Sequence, residues 1–398
     1  MNNFQYYTPT RVVFGKDAES QVGELVASLN CKKTLVHFGG QSAKKSGLLD
    51  RIFKSLDASG VSCVSLRGVV PNPRLSKVHE GIELCRKEGV DFILAVGGGS
   101  VIDSAKAIGY GLASEGEVWD FYLRKRAPTG CTPIGCVLTI SAAGSEMSDS
   151  SVITNEDGWI KRGYSNDLCR LKFAIMNPAL TFTLPWFQVA SGATDIMMHT
   201  MERWFDPKRT DSELTDYIAA GLIKTVMRNA LILKNDPQNY NAAAEVMWAS
   251  SLSHNGLTNC GGGGGDWSTH QIEHELGGMF DVAHGAGLAA VWGSWARYVY
   301  KALPKRFALF GRDIFGLPCA SSAPDSETNK AALAAIEKTE AFFQSIDMPT
   351  AISGLGVAMT EEQIKELAWK CSFCGSRKLG AFMPLDTPDL EAIYRAAK

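Results

Sequence analysis

Along residues 1 to about 178, short runs of apolar and β-branched residues alternate with stretches whose apolar positions recur at helical spacing. TRVVFG, KTLVHFG, CVSLRG, DFILAVGGG, TPIGCVLT and KFAIMNP predict strands, and SGLLDRIFKSLDASG and KVHEGIELCRKEG predict amphipathic helices between them. That alternation predicts βαβ units and a mostly parallel sheet. From about Pro185 the strand-like pattern vanishes. DSELTDYIAAGLIKTVMRNALILK, NAAAEVMWASSLSHNGL, NKAALAAIEKTEAFFQSI and TEEQIKELAWKCSF all carry the helical period. The pattern predicts an α/β nucleotide-binding domain over 1–178 and an all-α domain over 179–398. The join lies near MNPALTFTLPW, where two prolines punctuate the chain.

Glycine interrupts the pattern in ways that suggest chemistry. DFILAVGGGSVIDSAKAIG is a strand, three glycines, a serine and a helix. Backbone N–H groups of Gly97, Gly98, Gly99 and Ser100 are thereby expected to cradle a phosphate at a helix N-terminus, with Asp103 and Lys106 on the first turns. The dinucleotide fingerprint G-x-G-x-x-G is absent, so a different nucleotide architecture is required. A second turn, TLVHFGGQSAKKSG, places Gly39, Gly40, Gln41 and Ser42 where an NAD site usually carries a carboxylate for the ribose 2′-hydroxyl. With Lys44 and Lys45 behind it, that turn suits a 2′-phosphate. A third run, Gly261 to Gly265, has no evident reason for its length.

Composition adds mainly exclusions. With 45% hydrophobic and 21% charged residues and a net charge of −2, nothing points to nucleic acid or an anionic membrane as partner. No run is long and apolar enough for a transmembrane helix, and MNNFQYYTPTRVVFG lacks the layout of a secretory signal, so a cytoplasmic protein is expected. The ten cysteines are scattered, and the C-x-x-C of Cys371 and Cys374 has no second pair to complete a zinc site. Ordinary thiols are expected.

Of seven histidines, three fall in DWSTHQIEHELGGMFDVAHG. His270 and His274 share a helix face, as do Asp195 and His199 in GATDIMMHTMER, and His284 precedes a glycine. Histidines on an apolar helix are more often core than ligand, but two such pairs in a histidine-poor chain point to a metal. Three nitrogen ligands and one carboxylate suit Zn(II) or Fe(II) alike. A competing reading is a zinc peptidase, since HQIEH fits H-x-x-E-H literally. It leaves Asp195, His199, His284 and the GGGS turn without a duty.

Together, GGGS-x-x-D-x-x-K, H-x-x-x-H and the later H-G resemble the group III, iron-containing alcohol dehydrogenases, closest to their NADPH-dependent butanol dehydrogenase branch. FQYYTPTRVVFG, FGGQSAKKSG, VLTISAAGSEMSDSSVIT and DVAHGAGLA extend the resemblance over essentially the whole chain. It implies a dehydroquinate synthase-like architecture and hydride transfer between NADP(H) and a small primary alcohol or aldehyde such as butanol or butanal. A polyol dehydrogenase or a lyase of the same superfold is the alternative. The implied metal ligands are Asp195, His199, His270 and His284. His274 corresponds to the residue beside nicotinamide and substrate, which relays a proton or positions the nicotinamide ribose. Gly97, Gly98, Gly99 and Ser100 correspond to the pyrophosphate turn, with Asp103 in the same motif. Gly39, Gly40 and Ser42 correspond to the NADP-preferring turn, and Thr139, Ser148 and Lys161 to positions lining the cofactor. A homodimer through an N-terminal strand, about Phe4 to Phe14, is also implied. The chain departs from the family pattern at Ser141, Ala143, Leu171 and Asn177.

Overall fold

The computed structural model describes residues 1–209, 212–319 and 323–398. These form two compact units, Tyr7–Leu184 and Pro185–Lys398, the latter including Met1–Tyr6.

The first unit is built on β1 (Arg11–Phe14), β2 (Lys33–Phe38), β3 (Ser62–Arg67), β4 (Phe92–Gly97), β5 (Ile134–Leu138) and β8 (Phe173–Met176). All six are parallel, in the order β1-β8-β5-β4-β2-β3. They are the six strands the apolar runs predict. β4, β5 and β8 are buried at every residue, because a parallel sheet is covered on both faces and its strands carry no polar side. On one face, helices Val22–Ser28 and Leu48–Ala58 pack on Val36, Leu94, Val96, Val137 and Ile175. Each such buried side chain contributes about 1.5–3 kcal/mol relative to exposure.

Two features depart from expectation. The predicted strand from about Phe4 becomes regular only at Arg11; before it the chain has no sheet partner among the described residues. A hairpin, β6 (Ser150–Asn155) with β7 (Ile160–Ser165), lies outside the main sheet and was not predicted. Its turn holds Asp157 and Gly158, the latter at φ +77°, and that dipeptide is a hairpin signal. Asn177, noted above as a departure from the family pattern, has a local reason. Its amide donates to Glu19 Oε2 at 2.9 Å while its carbonyl accepts from Ala179 N at 3.1 Å. An aspartate there would face a buried glutamate.

The second unit is helical. Trp186–Trp204 is buried throughout Gly192–Trp204, with Glu213–Asn235, Tyr240–His254, Ser268–Phe280 and His284–Val299 among the helices of the unit. Asp211, the first residue of one predicted helical segment, lies outside the described residues. Among the described residues no helix is long and apolar enough to cross a membrane, and all ten cysteines are free thiols, Cys371 buried and Cys374 exposed.

Candidate metal centre and nucleotide turns

β2 lies between β3 and β4, so the chain leaves it in one direction and returns on its other side. This is a topological switch point, where open parallel sheets bind ligands at their carboxyl ends. Both glycine turns sit there: residues 39–42 follow β2, residues 97–100 start at the last residue of β4, and Phe38 pairs with Val96. Helix Gly99–Ala113 begins at the second turn; Gly98 O accepts the N–H groups of Val101 and Ile102, and the N–H groups of Gly99 and Ser100 precede the first intrahelical bond. Thr139 follows β5 and donates its N–H to Gly97 O at 3.0 Å.

The three glycines also have an internal reason. A Cβ on Gly97 would fall 2.5 Å from Val101 Cγ2, and one on Gly99 2.9 Å from Ala143 Cβ. In the other turn, Gly40, Gln41, Ser42, Lys44 and Lys45 are exposed and Gly39 half-buried.

Asp103 and Lys106 point into the protein. The Asp103 carboxylate accepts from Ser145 Oγ at 2.6 Å and Val152 N at 2.9 Å. Burial raises its carboxyl above the usual range, against the pull of Lys106. Lys106 is fully buried and its ammonium reaches Ser145 O, Ser148 O and Ser150 O at 2.7–3.0 Å. Ser148 is in the same network, at 3.2 Å through its hydroxyl. These residues pin the segment 145–152, and Lys161 is buried on β7 close enough to stabilise the Asp103 charge.

In the helical unit, Trp186–Trp204 carries Asp195, His199 and Glu202 on one face. Asp195 Oδ1 is the vertex on which three imidazoles converge: His199 Nδ1 at 3.3 Å, His270 Nε2 at 3.6 Å and His284 Nε2 at 3.7 Å. Asp195, His199 and His270 offer ligand atoms all within 4.8 Å of one another. Asp195 Oδ1, His199 Nδ1 and His270 Nε2 are buried without a hydrogen-bond partner. Leaving such an atom unsatisfied costs about 1–3 kcal/mol each, and an ion held between Asp195 Oδ1 and the ring nitrogens would remove that cost. Ligands of a tetrahedral ion with bonds of about 2.1 Å lie about 3.4 Å apart, so the donor set fits a divalent metal.

The glycine at 285 has a steric cause: its Cβ would meet Ser191 O at 2.0 Å, so only glycine lets the His284 helix approach the Asp195 helix. Burial, then His254 and His270, hold the His199 imidazole well below the ordinary histidine range. Burial also opposes charge on His270, but Asp195 and Glu202 outweigh it and raise that ring to about 9. His274 is buried with its ring 5.7 Å from that of His284, and Glu273, His274 and His284 form a second group whose ligand-type atoms all lie within 4.8 Å of one another.

Several residues of the centre were not read from sequence. Glu202 accepts from the His270 ring Nδ1 at 3.0 Å and from the His270 backbone N–H at 2.9 Å, which also caps helix Ser268–Phe280. Glu273 is fully buried and accepts from His284 Nδ1. A peptidase general base must face a water on the metal side, so this placement tells against reading HQIEH as a protease motif. The His254 ring is tilted 39° to that of His199, centroids 4.0 Å apart, and the Trp267 ring is 5.3 Å from that of His270.

The five-glycine run folds around the Asp206 carboxylate, which accepts from the N–H groups of Gly263, Gly265 and Lys208. Gly261, Gly264 and Gly265 have φ of +77°, +116° and +91°. A Cβ on Gly265 would also lie 3.0 Å from Glu202 O, the acceptor of the next residue's N–H at 2.9 Å. The run therefore sets where helix Ser268–Phe280 begins.

Residues 9–178 match the family model described as iron-containing alcohol dehydrogenase, and 189–398 match that of the Fe-containing alcohol dehydrogenase family, C-terminal. The chain is 34% identical to a probable NADH-dependent butanol dehydrogenase of Bacillus subtilis (strain 168) over 100% of both. It is 32% identical to an NADPH-dependent aldehyde reductase of Escherichia coli (strain K12), again over 100% of both. The crystal structure of an NADH-dependent butanol dehydrogenase A from Thermotoga maritima superposes with a TM-score of 0.94 at 36% identity, covering 100% of this chain and 99% of that one.

Proposed function

The chain belongs to the iron-containing alcohol dehydrogenase family, and on that premise we propose that it interconverts small primary alcohols and aldehydes, using NADP(H) and one Fe(II) or Zn(II) ion. The observation that carries this is the convergence of Asp195 Oδ1, His199 Nδ1 and His270 Nε2, each buried without a hydrogen-bond partner. When bound, the ion polarises the substrate oxygen as a Lewis acid and the nicotinamide exchanges the hydride.

The chain's own residues do the rest. Asp195, His199, His270 and His284 hold the ion. His274, one helical turn from His270 and with its ring 5.7 Å from that of His284, moves the alcohol proton. Were it instead to orient the nicotinamide ribose, its loss would raise the cofactor KM and spare kcat. Gly97, Gly98, Gly99 and Ser100 take the pyrophosphate, with Thr139 beside them. Ser148, in the segment held by Asp103 and Lys106, and Lys161, on β7, line the cofactor.

NADP(H) over NAD(H) is favoured by the exposed Gly39, Gly40 and Ser42 turn, with Lys44 and Lys45 behind it and no carboxylate in it. Relatives named for NADH and for NADPH both resemble the chain, so this turn carries the choice. A homodimer is supported by β1, an edge strand paired only with β8 among the described residues, and by exposed Phe4, Tyr6, Tyr7 and Phe14. Light scattering should give twice the chain mass at micromolar concentration; a monomer refutes the dimer.

The test of function is direct. Chelator-stripped protein is reloaded with Fe(II), Zn(II) or nothing and assayed with butanal and either NADPH or NADH. Aldehyde-dependent NADPH oxidation returning only with metal is the expected result. Full turnover without metal, or none with any short aldehyde, contradicts the proposal.

A further inference from the structure

Helices Ser268–Phe280 and His284–Val299 present His270 and His284 in a way that the ligand set alone does not explain. His270 and His284 both turn Nε2 toward Asp195 Oδ1, and both have a buried carboxylate behind Nδ1: Glu202 for His270, Glu273 for His284. His199 is the opposite case. It presents Nδ1 to the same vertex, and among the described residues no carboxylate other than Asp195 lies within ion-pair distance of it. The tilted ring of His254 lies beside it instead, centroids 4.0 Å apart.

A neutral imidazole carries one proton on one nitrogen, and whatever the other nitrogen must do decides which. A carboxylate can only accept, so a ring whose Nδ1 faces a buried carboxylate keeps its proton there. Its Nε2 lone pair is then fixed toward the vertex, and the carboxylate makes that nitrogen more basic.

We propose that Glu202 and Glu273 are positioning residues of the metal centre, each fixing the Nδ1–H tautomer of one histidine ligand. Glu273, which in HQIEH looks like a hydrolytic base, serves His284, eleven residues further along the chain. Glu202 does more than its counterpart. By accepting both the ring N–H and the backbone N–H of His270, it ties the ligand's orientation to the start of the helix that bears it. The proposal rests on the reading of Asp195, His199, His270 and His284 as ligands.

The test uses Zn(II) and Co(II) alone, with metal affinity as readout, so that it does not depend on activity. Glu202→Gln and Glu273→Gln keep an acceptor but remove the charge; Glu273→Ala removes both. Outer partners of this kind are worth 10- to 100-fold in metal affinity. Affinity is therefore expected to fall roughly tenfold in the Gln variants and nearer a hundredfold in Glu273→Ala. His270→Ala and His284→Ala serve as references and should bind far more weakly still. If both Gln variants and Glu273→Ala bind as wild type while the His variants do not, the positioning role is overturned and the ligand assignment stands. If the His variants also bind as wild type, the ligand assignment itself fails. Should a carboxylate variant not fold, ¹⁵N-histidine NMR of the zinc-loaded wild type decides the matter. Protonated Nδ1 on both His270 and His284 is the expected result, and protonated Nε2 on either overturns the proposal.

Discussion

His37 in the α/β unit and His199 in the helical unit are both buried imidazoles, 0% and 3% exposed, and they differ in what their nitrogens meet. His37 sits on β2 with Nδ1 3.2 Å from Leu66 O and Nε2 2.9 Å from Ser104 Oγ. Both nitrogens are used, and burial holds the ring down at about 4, so it stays neutral. His199 Nδ1 has no hydrogen-bond partner and faces Asp195 Oδ1, which has none either. Burial alone therefore does not mark a ligand. Convergence of unsatisfied lone pairs does, because a fold leaves such atoms together only where something else completes them.

The largest effect that can break this comparison is a ligand deletion. His270→Ala should lose the metal and lower turnover by about three orders of magnitude or more, since Lewis-acid polarisation supplies several kcal/mol. His37→Gln should leave metal content at wild-type level. Elemental analysis of both variants checks it: full occupancy in His270→Ala, or loss in His37→Gln, erases the distinction.

The core histidine has its own signature in acid. Its folded value of about 4 lies below the ordinary 6.5, so the unfolded chain takes up the proton first as pH falls. Stability from neutral His37 is fully present above about 6.5 and lost between there and about 4, amounting to roughly 3 kcal/mol. Urea unfolding between pH 7 and 4 should show a shallower loss in His37→Gln than in wild type. Parallel slopes would mean that His37 does not titrate this way.

Next in size is cofactor choice, where the glycine turns of the α/β unit can be compared. A Cβ on Gly39 would lie 3.2 Å from Val69 O, whereas one on Gly40 meets open space. Gly40→Asp is thus the cleaner way to introduce a 2′-hydroxyl acceptor. Two charge-assisted contacts at roughly 1.5–3 kcal/mol each predict a preference for NADPH in wild type on the order of a hundredfold or more. Gly40→Asp should move the ratio of kcat/KM values toward NADH. An unmoved ratio, or a wild type that prefers NADH, would show that the turn does not read the 2′ position.

The smallest effect separates the third glycine run from the other two. Gly265→Ala puts a Cβ at φ +91° and 3.0 Å from Glu202 O, a strain of about 1–3 kcal/mol. It should lower the melting temperature and weaken metal binding together, because Gly265 immediately precedes the residue tied to Glu202 O. A thermal scan of apo and zinc-loaded forms measures both. A variant that melts and binds as wild type would detach the run from the metal centre.

These differences also explain what sequence could reveal. β4, β5 and β8 were legible because full burial on both faces leaves unbroken apolar runs; the partly exposed edge strands β1 and β3 were legible from short β-branched runs that end at a glycine. The β6–β7 hairpin was not, since Ser150–Asn155 is half-exposed in patches and its loop is longer than two residues. Asp195 with His199, and His270 with His274, were legible because four-residue spacing is a local fact. Glu202 was hidden for a physical reason: a glutamate one turn past a histidine reads as a solvated helix position, and its partner lies 68 residues away. The excess glycines were opaque for the same reason, as the carboxylate they enclose comes from Asp206, 57 residues before Gly263.

X-ray absorption fine structure on the metal-loaded wild-type protein tests the central claim most directly. The account predicts a first shell of three imidazole nitrogens and one carboxylate oxygen at about 2.0–2.2 Å. A sulfur shell at about 2.3 Å, or a shell without imidazole scattering, would contradict it.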